Sequence, residues 1–94
     1  MPSFFMFGKY STDSVLKISR KRSQEAIELA EEFGGEITSM YAALGAYDLV
    51  MVVSFPDMQD ALKFSVSMSK AMGISFSTLP ALPMKEFEEL ISSQ

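Results

Sequence analysis

The run "DLVMVVSF", Asp48 to Phe55, limits the fold more than any other stretch of the chain. Leu49 to Val53 are apolar in unbroken succession. With β-branched residues, a Gly-containing turn before them and Pro-Asp after, they read as a strand. Side chains alternate between the two faces of a strand, so one that is apolar at every position puts grease on both sides of its sheet. Such a strand belongs at the centre of a sheet. "SFFMFGKY", Ser3 to Tyr10, is a second strand of the same kind.

The remaining segments fall into place around these two. "STDS" supplies helix caps, and a single helix is predicted from there to Phe33, with Ala26, Leu29, Ala30 and Phe33 on one face and "GG" as the stop. "EITSMYAA", Glu36 to Ala43, mixes polar and apolar letters as an edge strand does, and "LGAY" turns it into the oily strand as a hairpin. Asp57 is predicted to cap a second helix that Gly73 ends. Within it "FSVSMS" alternates with period two, the mark of a strand. Ala61, Phe64, Met68, Ala71 and Met72 nevertheless share a helical face, and the length of the segment decides for helix. "SFSTLPA", Ser75 to Ala81, reads as a fourth strand that Pro80 confines to an edge. "PMKEFEELI" closes the chain as a short helix begun by Pro83.

The order βαββαβ with a short C-terminal helix is the ferredoxin-like α+β pattern, a four-stranded antiparallel sheet in one domain spanning residues 1–94. Right-handed crossovers put the first and third strands in the middle, and those are the two oily ones, whereas Glu36, Thr38, Ser39, Ser75 and Ser77 fall on the edges. Both long helices cover the same face of such a sheet. The other face then carries an apolar footprint of about 330 Å², near the largest that a monomer ordinarily leaves in water. A second copy is the economical cover, so a homodimer or higher homo-oligomer is expected. Which set meets the helices, Leu49, Met51 and Val53 or Val50 and Val52, is open at this point.

Composition removes several chemistries. The chain has no Cys, His, Trp or Asn, so zinc and haem lose their usual ligands, nothing resembles an EF-hand, and no metal or cofactor is expected. Net charge is −4, which with no aromatic residues interleaved in its basic cluster speaks against nucleic acid. That cluster, Lys17, Arg20, Lys21 and Arg22, reads as a solvated helix face, or as the counterpart of the acidic tail Glu86, Glu88 and Glu89, with Arg22–Glu89 one pairing. Met58, Met68 and Met72 read as core filler. The N-terminus has no signal-peptide pattern and no run is long enough to span a membrane, so a cytoplasmic protein without a membrane partner is expected.

Gly45-Ala46-Tyr47-Asp48 between two strands, with "FGKYS" near the start, "GGEITSMYAALGAYDLVMVVSFPD" in the middle and "LPALPMKEFEELI" at the end, resembles the GYD-domain family over almost the whole chain. The resemblance implies a dimeric α/β barrel, in which paired ferredoxin-like sheets enclose a cavity. The sequence departs from the commoner family pattern at Ala46, where a charged residue often stands, and in its Ser- and Met-rich second helix. The hairpin phrase is also similar to the effector-binding half of Lrp/AsnC regulators, which assemble and bind amino acids between subunits; their DNA-binding half is not expected here.

Two readings of the hairpin follow. In one, Gly45 supplies a positive-φ turn, Tyr47 lies over the sheet edge, and Asp48 accepts hydrogen bonds from amides of the turn. In the other, Tyr47 and Asp48, with Lys9, Tyr10 and Tyr41 nearby, hold a polar small-molecule ligand at a cavity mouth. No residue is assigned a catalytic role. The expected function is an oligomeric small-molecule-binding or assembly module. The alternative is a cofactor-independent oxygenase or isomerase acting in the cavity between two subunits.

Overall fold

In the computed structural model, which describes residues 1–92, the two oily strands lie side by side at the centre of the sheet. The strands are β1 (Ser3–Tyr10), β2 (Glu36–Ala42), β3 (Leu49–Ser54) and β4 (Ile74–Ala81), in the antiparallel order β2-β3-β1-β4. Phe4 stands opposite Val53 and Met6 opposite Met51 in the central pair. The ferredoxin-like α+β topology is therefore the one the sequence predicts, with the more polar strands at the edges.

The face left open by the sequence resolves cleanly. Phe4, Met6, Leu49, Met51 and Val53 are buried against the helices α2 (Arg20–Glu32) and α3 (Met58–Met72), which contribute Ala26, Ala30, Ala61, Phe64, Met68 and Met72. Phe55 follows β3 and sets its ring 5.2 Å from that of Phe64. The alternate residues Phe5, Phe7, Val50 and Val52 lie on the opposite face and are half-buried or exposed.

Segment α3 is a helix in spite of its period-two stretch. Asp57 caps it by accepting from the Asp60 amide at 3.1 Å, and Gly73 ends it at φ 67°. A side chain at Gly73 would be strained at that φ and would meet the Ser11 hydroxyl. Of its three methionines Met68 and Met72 fill the core, but Met58 is exposed, because it stands on the first turn beyond the end of the sheet.

The first helix differs from the expectation of one continuous element. The chain forms a single turn, α1 (Thr12–Val15), breaks, and restarts as α2 after Ser19. The break has two causes. Ser14 is buried and donates its hydroxyl to the Met72 carbonyl at 2.6 Å, while the Ser11 amide donates to the Gly73 carbonyl at 2.9 Å, so α1 is tied to the end of α3. Ser19 then adopts an extended backbone and caps α2 by accepting from the Arg22 amide.

Strand β2 carries a bulge between Ile37 and Ser39, where the Thr38 hydroxyl donates to the Val52 carbonyl at 2.9 Å. After β4 the chain forms α4 (Met84–Ser92), whose first turn is closed by the Phe87 amide donating to the Pro83 carbonyl. None of the described residues of α4 is buried. The chain accordingly presents 6291 Å² to solvent, against about 5,400 Å² for a compact protein of its mass, and its longest dimension is 49 Å.

Candidate functional site

Gly45 has φ 144°, a backbone region that favours glycine, and the turn it belongs to, between β2 and β3, brings Tyr47 and Asp48 back onto the end of β1. The Asp48 amide donates to the Gly8 carbonyl at 2.8 Å, and the Ala43 amide donates to the Asp48 carbonyl, so both neighbouring strands hold this residue. Its carboxylate differs from the sequence expectation. Oδ2 accepts from the Tyr10 amide at 3.1 Å, across 38 residues, rather than from amides of its own turn. Lys9 Nζ stands 4.0 Å from the same oxygen. Asp48 is thus a latch between the hairpin and the last residue of β1.

Tyr47 also lies elsewhere than over the sheet edge. Its ring packs on Phe7 of the central strand, with centroids 5.3 Å apart and planes at 43°, and Phe7 in turn meets Phe5 edge-on at 6.4 Å. Tyr41 is opposite Val50 in the register and is largely exposed. Tyr41, Tyr47 and Lys9 therefore belong with Phe5, Phe7, Val50 and Val52 to the face that no helix of the described chain covers, with Asp48 at its rim.

Tyr10 does not join them. It follows Lys9 on the same strand, so its side chain points to the helix side, where it packs against the core and borders a small cavity of about 40 Å³ with Arg22, Met40, Met51 and Met68. Burial pushes the Tyr10 phenol above its ordinary pKa, the Asp48 charge adds to the shift, and the Arg22 guanidinium opposes it. Arg22 is itself engaged, donating to the Met72 carbonyl at 2.8 Å. A cation at the C-terminus of α3 suits the dipole of that helix. The anticipated pairing of Arg22 with Glu89 is not formed within the chain; among the described residues the ion pair is Lys9–Asp48.

A larger groove of about 790 Å³ opens at the other end of the sheet, between the root of α4 and the chain termini of β1 and β3. Pro2, Phe4, Met58, Leu82 and Phe87 line it, with Asp57 and Glu86 at its wall.

Comparison with known proteins bears on these features. The model of the GYD domain matches residues 4–91. The chain belongs to the GYD domain family. A relative of similar length from Thermus thermophilus, named "Glutamine synthetase and cystathionine beta-lyase binding protein", is 26% identical over 89 residues, covering 92% of this chain and 94% of the relative. Among solved structures, the leucine response regulatory protein of Mycobacterium tuberculosis superposes with a TM-score of 0.58 at 15% identity, over 87% of this chain and 51% of that one. An AsnC family transcriptional regulator from Agrobacterium tumefaciens gives 0.57 at 20% identity, over 87% and 50%. The GYD chain thus spans about half the length of these regulators, and at such identities the likeness is one of fold.

Sequence reasoning missed three contacts of this site: Tyr47 on Phe7, Asp48 on the Tyr10 amide, and Arg22 on the Met72 carbonyl. The first and second depend on which residues of β1 face the hairpin, a matter of register. Only the adjacency of Lys9 and Tyr10 on one strand carried a usable signal, since neighbours on a strand cannot share a face.

Proposed function

We propose that this chain is a homodimeric binding module of the cytoplasm, in which the uncovered sheet face pairs with the same face of a second copy and the assembled dimer engages another protein. One observation carries the reading. Phe5, Tyr41, Tyr47 and Leu79 are exposed on or beside a face whose centre is Phe7, Val50 and Val52, with a helix layer on the opposite side alone. An apolar area of this kind on a chain of 94 residues calls for a partner surface, and an isologous pair closes it. The likeness in fold to regulators of the Lrp/AsnC kind supports the choice of an assembling domain.

The Thermus relative is named for binding two enzymes, and its length matches this chain almost throughout, which favours a protein partner over a substrate. Asp48 supports the same preference. Its carboxylate is already used by the Tyr10 amide and Lys9, so the one aspartate of the hairpin acts as a fastening. Tyr47, Lys9 and Tyr41 remain as side chains that a small ligand would meet at the mouth of the paired sheets.

Light scattering on the native protein and on Val52→Asp tests the assembly. A dimer that becomes a folded monomer on this substitution supports the reading, and a native monomer at all concentrations sinks it. Calorimetric titration with purified glutamine synthetase tests the partner class: saturable binding supports it, and no heat at concentrations of about 100 μM for either protein removes this enzyme as a partner.

A further inference from the structure

The C-terminal helix borders the end of the sheet at its root and turns an apolar stripe to solvent. Met84, Phe87 and Ile91 form one helical stripe, exposed at 68, 47 and 52%, and Glu86 and Glu88 flank it. Among the described residues no ion pair engages these carboxylates. A surface with the opposite properties lies at the elbow between α1 and α2. There Leu16 and Ile18 are exposed at 82 and 60%, and Lys17, Arg20 and Lys21 stand around them. Arg20 and Lys21 occupy the first turn of α2, where the helix dipole disfavours cations, so an anionic partner relieves a repulsion as well as adding an attraction.

The two surfaces are at opposite ends of one subunit. Arm α4 leaves the sheet after Ala81, which is opposite Ser3, whereas the elbow follows Tyr10, which is opposite Ile74. Within a chain the length of the sheet separates them. A two-fold axis lying between stacked sheets and running across the strands reverses strand direction, and so brings the root of each arm to the elbow end of the other subunit. The arm must then pass the edge of the partner's sheet to its helix layer, a distance of about 20 Å at ~10 Å per layer. Nine helical residues reach about 13.5 Å and the Leu82–Pro83 link about 7 Å more.

We propose that α4 is an exchanged arm, docking the distal end of its acid-flanked apolar stripe on the basic, apolar α1–α2 elbow of a second copy. The proposal rests on the face-to-face pairing above and fixes the direction of its two-fold axis.

The chain has no cysteine, so introduced ones report unambiguously. Ile18→Cys and Ile91→Cys proteins are mixed and oxidised, and the product is compared with a control mixture of Leu44→Cys and Ile91→Cys, with disulfide-linked peptides identified by mass spectrometry. The expected result is a two-chain species linking positions 18 and 91 in about tenfold excess over the control. A yield equal to the control while light scattering still reports a dimer overturns the arm and leaves the face pairing intact. In a protein carrying both cysteines, at 18 and 91, a link within one chain also overturns it. A monomeric mass removes the arm together with the pairing on which it rests. As a second variant, Glu86→Lys with Glu88→Lys is expected to reduce the cross-link to the control level, and Lys17→Glu with Arg20→Glu in the partner to restore it; no restoration counts against the charge pairing that selects the elbow.

Discussion

The two faces of the central strands are built from nearly the same residue types and live in different surroundings. Met6, Met51 and Val53 on one face have no exposed surface at all, while Phe5 on the other is 41% exposed and Phe7, Val50 and Val52 are only partly covered. Burial within the chain accounts for the first set. It does not account for the second, since a solvated sheet face ordinarily carries polar residues in alternation with the core. The difference teaches that burial within the subunit explains only one face of these strands, and the pairing proposed above is what gives the other face a cover.

The sharpest way to break this comparison is one substitution on each face. Met51→Asp places a charge with no partner in the core and is expected to abolish the folded state, by at least about 4 kcal/mol, in circular dichroism and thermal melts. Val52→Asp is expected to keep the fold and weaken dimer formation at least a hundredfold, roughly, because the proposed two-fold pairing would bring both carboxylates into one interface. Equal behaviour of the two variants would end the distinction between the faces. A gentler version compares Met6→Ala, expected to cost about 2–5 kcal/mol in urea denaturation, with Phe7→Ala, expected to cost the isolated subunit less than about 2 kcal/mol. A double-mutant cycle between Phe7 and Tyr47 then isolates their ring contact, with a coupling of about 0.5–1.5 kcal/mol.

The smallest effect concerns Tyr10, the site residue on the covered side. The unfolded chain releases this phenolic proton near pH 10, roughly, and the folded chain holds it to higher pH. Above that point the unfolded state binds fewer protons, so stability falls as pH rises. The contribution is complete below the unfolded value and is lost as pH climbs through the folded one. Tyr10→Phe should therefore flatten the decline in urea midpoint between about pH 9 and about pH 11, and an unchanged slope would argue that the phenol is not held by burial.

Strand order and the core set were legible because they depend on period and on which strands are oily. Ala26, Ala30, Ala61, Phe64, Met68 and Met72 all appear in the core at the helical spacings that announced them. The inward parity of β3 was not legible, because Val50 and Met51 are equally apolar and only the position of the helices separates them. The break before α2 was hidden for a different reason. Ser19 sits among Lys17, Arg20 and Lys21, where a polar run masks a cap, and the cause of the break lies in hydrogen bonds to Met72 and Gly73, some 58 residues from Ser14. The hairpin residues were picked out by type, but their partners were not, since Asp48 reaches the Tyr10 amide only once the register of β1 with β3 is fixed.

The bulge at Thr38 has a consequence for how far assembly can go. Edges of a sheet invite further strands, and a protein with an oily sheet is the kind most exposed to fibrous growth. Here one edge is bent by an extra residue whose hydroxyl is turned inward to Val52, and the other carries Pro80 one residue before its end, where no amide is offered to a newcomer. Both margins are thereby made poorer templates for sideways addition. In the face-to-face pairing proposed above, growth stops once the two faces are covered, whereas straight, unbroken edges would let the same strands add neighbours without limit.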